Sequence, residues 1–289
     1  MNIPKQTALV TGASAGIGRE IVRVLVRERG MTVVATARRL ERLETLRDEL
    51  PEGTLIPIAG DLGDARFRDR LWAETLQKVG HVDVLVNNAG IGLRGPLADQ
   101  AMEDVERLLN LNVVALIDLT QKAVRVMSER KQGQIVQISS IVGAFGVPYS
   151  AVYVASKHAV DGLVKSLRPE LRGTGVRIWA ARPGRTASEF YNLALGGQMA
   201  SKDIPPARSA ETVARAIVRG LDHRQAFLAP TLDAGLLVGL CRWAPGFEYV
   251  MGRVAKRVFD RELANRNGGG DHPISPAAPG RDEDGRSVP

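Results

Sequence analysis

The sequence predicts an α/β fold in which a doubly wound parallel sheet is flanked by helices. Short apolar runs of strand length alternate along the chain with amphipathic segments of helix length, as in repeated strand–helix units. With 289 residues, 44% of them hydrophobic and 4% aromatic, the chain can build one large domain with a substantial core. The candidate strands are TALVT (7–11), TVVATA (32–37), TLIPIA (54–59), VDVLVN (82–87), QIVQIS (134–139) and VRIWAA (176–181).

The predicted helices each present one apolar face, and the first shows the pattern. Its apolar residues recur at helical spacing, with charged residues largely on the other side, so this face is expected to pack on the sheet. These apolar residues are Ile17, Ile21, Val24 and Leu25. A later helix is predicted to begin near SAETVARAIVRGL (209–221), where Ser209 is a suitable N-cap.

Three stretches near the C-terminus depart from this alternation. Residues 185–208 form a long irregular segment, of the kind that serves as a lid or binding loop inside a compact domain. An amphipathic helix is predicted over about 246–265. Residues 267–289 are rich in Gly, Pro and charge, which predicts a disordered tail after a single domain over 1–266.

The amino-acid composition limits the kinds of site and of partner that this protein is expected to have. Because Cys241 is the only cysteine, an intramolecular disulfide is excluded, and no metal site is predicted. The N-terminus lacks the order of a secretion signal, and the apolar stretch AGLLVGLC (234–241) is far shorter than the ~20 residues of a spanning helix, so we expect a cytoplasmic protein. The net charge of +7 suits an anionic ligand, a membrane surface or nucleic acid. Without a nucleic-acid-binding motif, we expect no nucleic-acid partner.

The turn between the first strand and the first helix reads TGASAGIG (11–18). Glycines at 12, 16 and 18 permit a tight turn, close approach of the backbone to a phosphate, and packing of the helix on the strand. The helix N-terminus adds unpaired N–H groups that favour an anion. The pattern is typical of a Rossmann-like dinucleotide site, and a glycine-rich turn without a ligand is the alternative.

Two arginines follow the second strand, where nucleotide-binding folds often carry an acid. Ala37 stands at the position of the acid, and Arg38 and Arg39 come next. An acid would repel the 2′-phosphate of NADP, whereas a guanidinium pairs with it. NADP(H) is therefore favoured over NAD(H), and the alternative is that both arginines are simply solvated.

A tyrosine and a lysine stand four residues apart in YVASK (153–157), at the start of a predicted helix. Residues i and i+4 share a helix face, so the phenol and the ammonium point into the same space. Alone, such a pair occurs by chance on many helices. Three further motifs accompany it: NNAG (87–90) ends the fourth strand, Asn112 lies in the following helix, and ISS (138–140) ends the fifth strand.

In combination and in order, these motifs make the chain resemble the short-chain dehydrogenase/reductase family. It is similar to the subgroup marked by Thr-Gly-x-x-x-Gly-x-Gly, Asn-Asn-Ala-Gly and Tyr-x-x-x-Lys, from about residue 5 to 188. The resemblance implies hydride transfer between a nicotinamide cofactor and a ketone or secondary alcohol. We also expect a homodimer or homotetramer.

The resemblance assigns roles to four catalytic residues. Tyr153 would be the general acid or base, donating a proton to the carbonyl in reduction and accepting one from the alcohol in oxidation. Lys157 would bond the nicotinamide ribose and lower the pKa of Tyr153. Ser140 would hold the substrate oxygen, and Asn112 would anchor a water that relays protons to Lys157. A free phenol has a pKa near 10, so nearby positive charge acts in the direction that these roles require.

The resemblance also implies cofactor contacts. Those to the pyrophosphate would come from Gly12, Ser14, Ile17 and Gly18; to the adenine from Asp61 and Leu62; and to the adenosine and ribose from Asn88, Ala89 and Gly90. After Pro183-Gly184 the family usually has a branched apolar residue and then Thr, each separated by one residue. Here Thr186 keeps the β-branching and Ser188 keeps a hydroxyl, so we expect the nicotinamide contact to survive.

The substrate and the role of the C-terminal helix stay open at this stage. Several apolar residues of two loops suggest a largely apolar pocket, with packing of a lid as the alternative: Phe145, Phe190, Tyr191, Leu193 and Leu195. The C-terminal helix could cover the pocket or pack in a dimer, and contact with a membrane surface is a weaker third option. The alternative to an oxidoreductase is a non-catalytic, cofactor-binding sensor or a membrane-associated interaction protein on the same fold.

Overall fold

Seven parallel strands form a single sheet at the centre of the molecule, in the order β3-β2-β1-β4-β5-β6-β9. The computed structural model describes residues 6–191, 194–195, 207–244, 246–247, 249–250, 252–254, 256–257 and 260. The strands of the sheet are β1 (Thr7–Thr11), β2 (Thr32–Ala37), β3 (Leu55–Ala59), β4 (Val84–Asn87), β5 (Gly133–Ile138), β6 (Val176–Ala181) and β9 (Phe227–Leu228). Because the strand order reverses between β1 and β4, a ligand crevice is expected at the carboxyl ends of these strands.

Helices cover both faces of the sheet. They are α1 (Gly16–Arg29), α2 (Leu40–Asp48), α3 (Ala65–Val79), α4 (Met102–Leu109), α5 (Leu116–Glu129), α6 (Ala151–Glu170), α7 (Ala210–Arg219) and α8 (Leu232–Trp243). One apolar core lies between the sheet and α1, α2 and α7, and the other between the sheet and α3, α5 and α6. The predicted doubly wound, Rossmann-like fold in a single domain is confirmed.

The predicted strands agree closely with the structure. β1, β2 and β6 have the predicted bounds, and the other three predicted strands differ by one or two residues at an end. The predicted face of α1 is largely confirmed, since Ile21, Val24 and Leu25 are buried while Ile17 is half-buried. Ser209 caps α7 as predicted, and its hydroxyl accepts a hydrogen bond from Thr212 N.

Four short or apolar elements were not predicted. β9 has only two residues, and the neighbouring strand β6 fixes it through hydrogen bonds from Ala180 N to Ala226 O (2.9 Å) and from Arg182 N to Leu228 O (2.7 Å). A separate two-stranded parallel sheet joins β7 (Thr186–Ala187) to β8 (Arg208–Ser209). The helix α8 has no clear polar face in its sequence, so periodicity did not reveal it.

The predicted segments near the C-terminus are described in part. Within 185–208, β7, a short 3-10 helix (Glu189–Tyr191) and residues 194–195 are described. The described positions between 246 and 260 are helical, as predicted. The domain limits 1–266 stay a prediction, and the predicted tail 267–289 lies outside the described residues.

Candidate active site

A cavity of about 410 Å³ opens at the carboxyl ends of the central strands. Of the residues that the sequence predicted for catalysis or cofactor binding, all but Gly18 and Asn112 line this cavity. Residues more than 140 positions apart, such as Gly12 and Tyr153, therefore face one space. The structure brings the predicted motifs together at the crevice that the strand order creates.

The glycine turn between β1 and α1 is packed too closely for side chains. Gly12 has φ +65°, and a Cβ there would lie 2.8 Å from Ala89 Cα. At Gly18 a Cβ would lie 2.4 Å from both Gly12 O and Asn88 Nδ2. Gly18 lies behind the turn, so its contribution is the close contact between helix and loop rather than a cavity wall.

The end of β4 supports the same turn through a hydrogen-bond network. The hydroxyl of Thr11 accepts from Asn88 N (2.9 Å) and Ala89 N (3.0 Å). The Asn88 amide donates to Thr11 O (2.9 Å) and Gly12 O (3.2 Å). Asn88 lines the cavity, but these donors fix the glycine turn. Sequence reasoning missed Thr11, although it stands directly before the first glycine.

The arginines after β2 form an ionic cluster with an acid from a distant loop. Arg39 donates to Glu189 Oε2 (3.0 Å) and to Ser14 Oγ (3.2 Å), while Arg42 donates to Glu189 Oε1 (2.6 Å). Hydrogen bonds from Arg42 and Arg39 hold the pKa of the Glu189 carboxyl below its usual value. Arg38 is exposed and lines the cavity. Sequence reasoning missed Arg42 and Glu189, although Arg42 stands one helical turn after Arg39.

Tyr153 and Lys157 lie on the cavity side of α6, as the i, i+4 spacing predicted. The Lys157 Nζ lies 5.6 Å from the centroid of the Tyr153 ring and donates to Ile138 O at the end of β5 (2.9 Å). Lys157 is buried, whereas Tyr153 is half-buried at the cavity surface. The ammonium is thus fixed beneath the phenol by a main-chain acceptor.

Burial and a neighbouring carboxylate act in opposite directions on this lysine. Burial lowers the pKa of Lys157 to about 8, and the charge of Asp161 acts to raise that pKa. Asp161 lies one turn further along α6 and is 1% exposed. It accepts from Arg182 Nε (2.8 Å) and Nη2 (2.7 Å), and Arg182 stacks on the Phe227 ring at 3.8 Å. Sequence reasoning missed Asp161, although it continues the spacing 153, 157, 161.

Asn112 is buried in a π-helical turn (Asn110–Ala115) between α4 and α5. Its side chain accepts from Ile91 N (2.9 Å) and donates to Ile91 O (2.9 Å) and Ser156 Oγ (3.2 Å). These bonds join the loop after β4 to α6. A Cβ on Gly90 would lie 3.1 Å from Asn112 Oδ1 and 3.8 Å from Lys157 Nζ, so the amide and the ammonium face the same glycine. The predicted proton relay stays a prediction.

Ser140 and the segment after β6 line the same cavity as Tyr153. The Ser140 hydroxyl lies 3.5 Å from Pro183 O and accepts from Val142 N (3.4 Å). Thr186 is buried and donates to Gly184 O (3.1 Å). Ser188 packs against the glycine turn, since a Cβ on Gly16 would lie 2.8 Å from Ser188 Cβ.

The loop after β3 forms another side of the cavity, where contact with adenine was predicted. Asp61 is exposed and its carboxylate accepts from Gly63 N (2.8 Å). Leu62 is buried, and its carbonyl accepts from Arg68 Nη1 (2.7 Å). Both residues line the cavity, as the predicted contact with adenine requires.

Part of the predicted apolar pocket is present at the cavity mouth. Phe190 and Leu195 line the cavity, and the Phe190 ring lies 5.6 Å from the Tyr153 ring. Leu195 is fixed to the loop after β4 by a hydrogen bond from its N to Gly92 O (2.9 Å). Phe145 is 6% exposed and packs in the interior instead of lining the cavity. Leu193 and the side chain of Tyr191 lie outside the described residues.

The family model of the short chain dehydrogenases matches residues 6–194. This match includes the glycine turn, the tyrosine–lysine pair and most of the cavity wall. The chain belongs to the short chain dehydrogenase family. The resemblance predicted from the motifs is therefore confirmed.

Individual members of this family are similar to the chain over most of its folded part. Farnesol dehydrogenase of Aedes aegypti is 38% identical over 218 residues, which span 70% of this chain and 87% of that protein. A short chain dehydrogenase of Pseudocercospora fijiensis is 38% identical over 190 residues, but the match spans only 64% of this chain and 61% of that protein. The solved structure of a short-chain dehydrogenase from Sphingobium yanoikuyae in complex with NADPH has a TM-score of 0.73 and 28% identity, covering 86% of this chain and 95% of that one.

The residues of this short-chain dehydrogenase fit a dinucleotide. The absence of side chains at Gly12 and Gly18 lets the end of β4 and α1 pack closely on the turn, and the cavity that this turn borders lies next to the N-terminus of α1, which no side chain caps. Such a site offers main-chain N–H groups to a pyrophosphate. The guanidinium groups at the end of β2 offer cationic donors to the adenosine half.

Proposed function

We propose that this short-chain dehydrogenase is an NADP(H)-dependent oxidoreductase that acts on a ketone or secondary alcohol of a hydrophobic molecule. The observation that carries the proposal is the arrangement of Tyr153, the buried Lys157 ammonium and Ser140 around one cavity. This cavity continues into the glycine turn and the arginine cluster. A proton donor therefore lies in the same space as a dinucleotide site.

When bound, the nicotinamide supplies or accepts the hydride, and the chain supplies position and a proton. In reduction, Tyr153 donates its phenolic proton to the carbonyl oxygen. The Lys157 ammonium, 5.6 Å from the ring centroid, stabilises the tyrosinate that remains. The Ser140 hydroxyl, which lines the same cavity, donates to the same oxygen and orients it. In oxidation, the tyrosinate accepts the alcohol proton.

The preference for NADP(H) is supported by charge at the end of β2. Ala37 leaves that position without an acid, and Arg38, Arg39 and Arg42 follow it. Guanidinium groups form charge-assisted, often bidentate hydrogen bonds with phosphate. The S. yanoikuyae neighbour binds NADPH, which is consistent with this preference.

A hydrophobic substrate is supported by the mouth of the cavity. Phe190 and Leu195 stand beside Tyr153, so a substrate carbonyl that reaches the phenol also passes apolar side chains. The A. aegypti relative is named for farnesol, a long apolar alcohol. We infer an alcohol or ketone with a large apolar substituent, in either direction of reaction.

The test is NADPH oxidation by the full chain across a panel of ketones and aldehydes of increasing apolar size, with NADH in parallel. Tyr153→Phe should lower kcat by about a hundred- to ten-thousandfold, because the proton donor is lost. NADPH binding, measured by fluorescence titration, should be retained. The matched control is Tyr249→Phe, which removes a phenol from an exposed position of the C-terminal helix.

Two results would contradict the proposal. Turnover of Tyr153→Phe close to that of the unaltered protein would remove the tyrosine from the mechanism. NADPH binding without turnover of any substrate in the panel would favour the cofactor-binding sensor. The four residues that the resemblance assigns to catalysis all lie at or directly behind the cavity, and a sensor has no need of a proton donor there.

A further inference from the structure

The helix α8 exposes a continuous stripe of large apolar side chains. Leu232, Leu236, Leu240 and Trp243 follow one another at helical spacing and are 88%, 69%, 49% and 85% exposed. The opposite face carries Ala234 and Cys241, both buried against the domain. Scattered exposed apolar residues are ordinary in a soluble protein, but four in register along one helix form a surface suited to a partner.

Cations follow this stripe closely in the chain. The helical positions after α8 expose Tyr249, Val250 and Val254 together with three cations. These cations are Arg253, Lys256 and Arg257, of which Lys256 pairs with the carboxylate of Asp260 (2.7 Å). Apolar side chains next to a cluster of Lys and Arg are the composition of helices that lie at an anionic membrane interface.

The C-terminal tail lacks the apolar side chains to cover the stripe. The last 23 residues, from 267 to 289, contain only Ile274 and Val288 as large aliphatic residues and carry no aromatic residue. Burying four large apolar side chains requires an apolar partner surface of similar size. The tail therefore does not match the stripe.

A second copy of the chain is also a poor match. Packing around a two-fold axis sets the same surface patch on both sides of the contact. The cations at 253, 256 and 257 of both copies would then lie at one contact, and this excess of positive charge opposes association. A surface that carries negative charge and accepts apolar side chains avoids this repulsion.

We propose that α8 and the helical segment after it form a membrane-docking surface, which inserts its apolar side chains at the headgroup level of an anionic lipid bilayer. No described helix is long and apolar enough to cross a bilayer, so the contact is interfacial. Trp243 and Tyr249 suit this depth, because their rings combine an apolar body with a polar group. The cations supply attraction to acidic headgroups.

The outer face of α8 carries the docking surface, and the inner face of α8 packs near the catalytic cavity. A Cβ on Gly184, which lines the cavity, would lie 3.6 Å from Ala234 Cβ on the inner face of α8. The helix that docks thus lies against the cavity wall at Gly184. A membrane-dissolved alcohol or ketone could reach Tyr153 with little exposure to water, a consequence that rests on the proposed function, whereas docking itself does not.

Vesicle flotation of the full chain tests the docking. The protein should float with vesicles of phosphatidylcholine and phosphatidylglycerol and much less with phosphatidylcholine alone. The pair Leu236→Gln and Trp243→Gln should weaken binding about tenfold or more, since two exposed apolar side chains no longer insert. The pair Arg253→Gln and Arg257→Gln should weaken binding about fivefold per lost cation, and added salt should have the same effect.

The matched control is the pair Leu97→Gln and Met102→Gln, which removes two side chains that are 62% and 61% exposed in and before α4. This pair should float like the unaltered protein. Circular dichroism and NADPH binding check that each variant is folded. Failure to float with acidic vesicles would overturn the proposal. So would a dimer in sedimentation that Leu236→Gln dissociates, because a second copy would then cover the stripe. Both readouts are independent of turnover, so they stand even if no substrate is found.

Discussion

The floor of the cavity and its outer wall are held by different kinds of interaction. The floor consists of the glycine turn, the end of β4 and Lys157, and buried hydrogen bonds to main-chain atoms fix it, such as Lys157 Nζ to Ile138 O (2.9 Å). The outer wall consists of Glu189, Phe190 and Leu195. It is held by partly exposed ion pairs and by short contacts between segments distant in sequence.

We infer from this difference that the floor determines the reaction class, whereas the wall determines substrate specificity. Buried hydrogen bonds leave the floor little freedom, so one change there affects chemistry or folding as a whole. Partly exposed ion pairs contribute little each, so the wall tolerates change. We expect substitutions in the floor to abolish function and substitutions in the wall to adjust affinity and substrate choice.

Among the substitutions that compare the floor with the wall, Lys157→Met is expected to have the largest effect. The change keeps the length of the side chain but removes the ammonium beside Tyr153 and leaves Ile138 O without its donor. Activity should fall by about a thousandfold, in the range of lost acid–base assistance. Steady-state kinetics across the substrate panel measures the loss.

The control for this variant lies on the same helix. Lys165→Met applies the same substitution to an exposed lysine of α6 and should leave kcat/KM within about twofold, because exposed substitutions rarely matter. Equal activities of the two variants would show that the position of the lysine on α6 is unimportant, against the role given to the floor.

The second prediction concerns Gly18→Ala. The added Cβ would lie 2.4 Å from Gly12 O, so the glycine turn must shift. Overpacking of this kind costs about 1–3 kcal/mol of stability. NADPH binding should weaken as well, because the turn that would hold the pyrophosphate moves. Denaturant unfolding and fluorescence titration measure the two effects.

Gly162→Ala is the matched control. A Cβ there meets nothing within 4 Å, and the residue lies inside α6. The variant should gain about 0.5–1 kcal/mol of stability, since alanine favours the helix over glycine. If both glycine variants lost stability equally, the close contact at Gly18 would not be the cause.

The sequence predicted the floor better than the wall, for a physical reason. Buried strands and the glycine turn depend on local patterns, so β1, β2 and β6 have the predicted bounds. The glycines at 12 and 18 and the pair Tyr153 and Lys157 follow spacings that local geometry imposes.

Contacts between segments distant in sequence, including those of the wall, depend on the folded topology. Glu189 meets Arg39 across 150 positions of sequence, and no local pattern indicates that contact. The pair of Asp161 and Arg182 likewise joins α6 to the residue after β6. β9 has two residues and is fixed by its neighbour, so no run of strand residues exists to be recognised.

The third prediction concerns the pH dependence of reduction. In Asp161→Asn the charge that raises the pKa of Lys157 is removed, while the guanidinium of Arg182 remains nearby. The loss of the Asp161 charge and the guanidinium that remains both favour the neutral form of Lys157, so the lysine loses its proton at lower pH. Because kcat/KM reports the free enzyme, its decline with rising pH should begin near pH 8 in the unaltered protein and at lower pH in the variant.

The pH profile of NADPH-dependent kcat/KM measures this shift, and a Lys157 pKa lowered by about one unit, which corresponds to about 1.4 kcal/mol, means a loss of about fivefold at pH 8. Asp233→Asn is the control, because that acid pairs with the exposed Arg208 and is not among the groups that act on the pKa of Lys157. If the single variant is unstable, Asp161→Asn with Arg182→Gln removes both charges of the pair. An unmoved alkaline limb in the folded variants would separate Asp161 from Lys157.

The smallest effect is expected in the wall, from Glu189→Gln. Glu189 already occupies Arg39 and Arg42, the cations that the proposed 2′-phosphate contact would use, so its carboxylate competes with that phosphate. Removing the charge should tighten NADPH binding by about two- to fivefold, because each partly exposed pair contributes only about 0.2–1 kcal/mol. The affinity for NADH should change less, since NADH has no 2′-phosphate.

Fluorescence titration with both cofactors measures the difference, and Glu44→Gln, at an exposed pair with Arg47, is the control. Weaker NADPH binding in Glu189→Gln would show that the acid positions the arginines for the phosphate instead of competing with it. The wall would then share the fixed character of the floor.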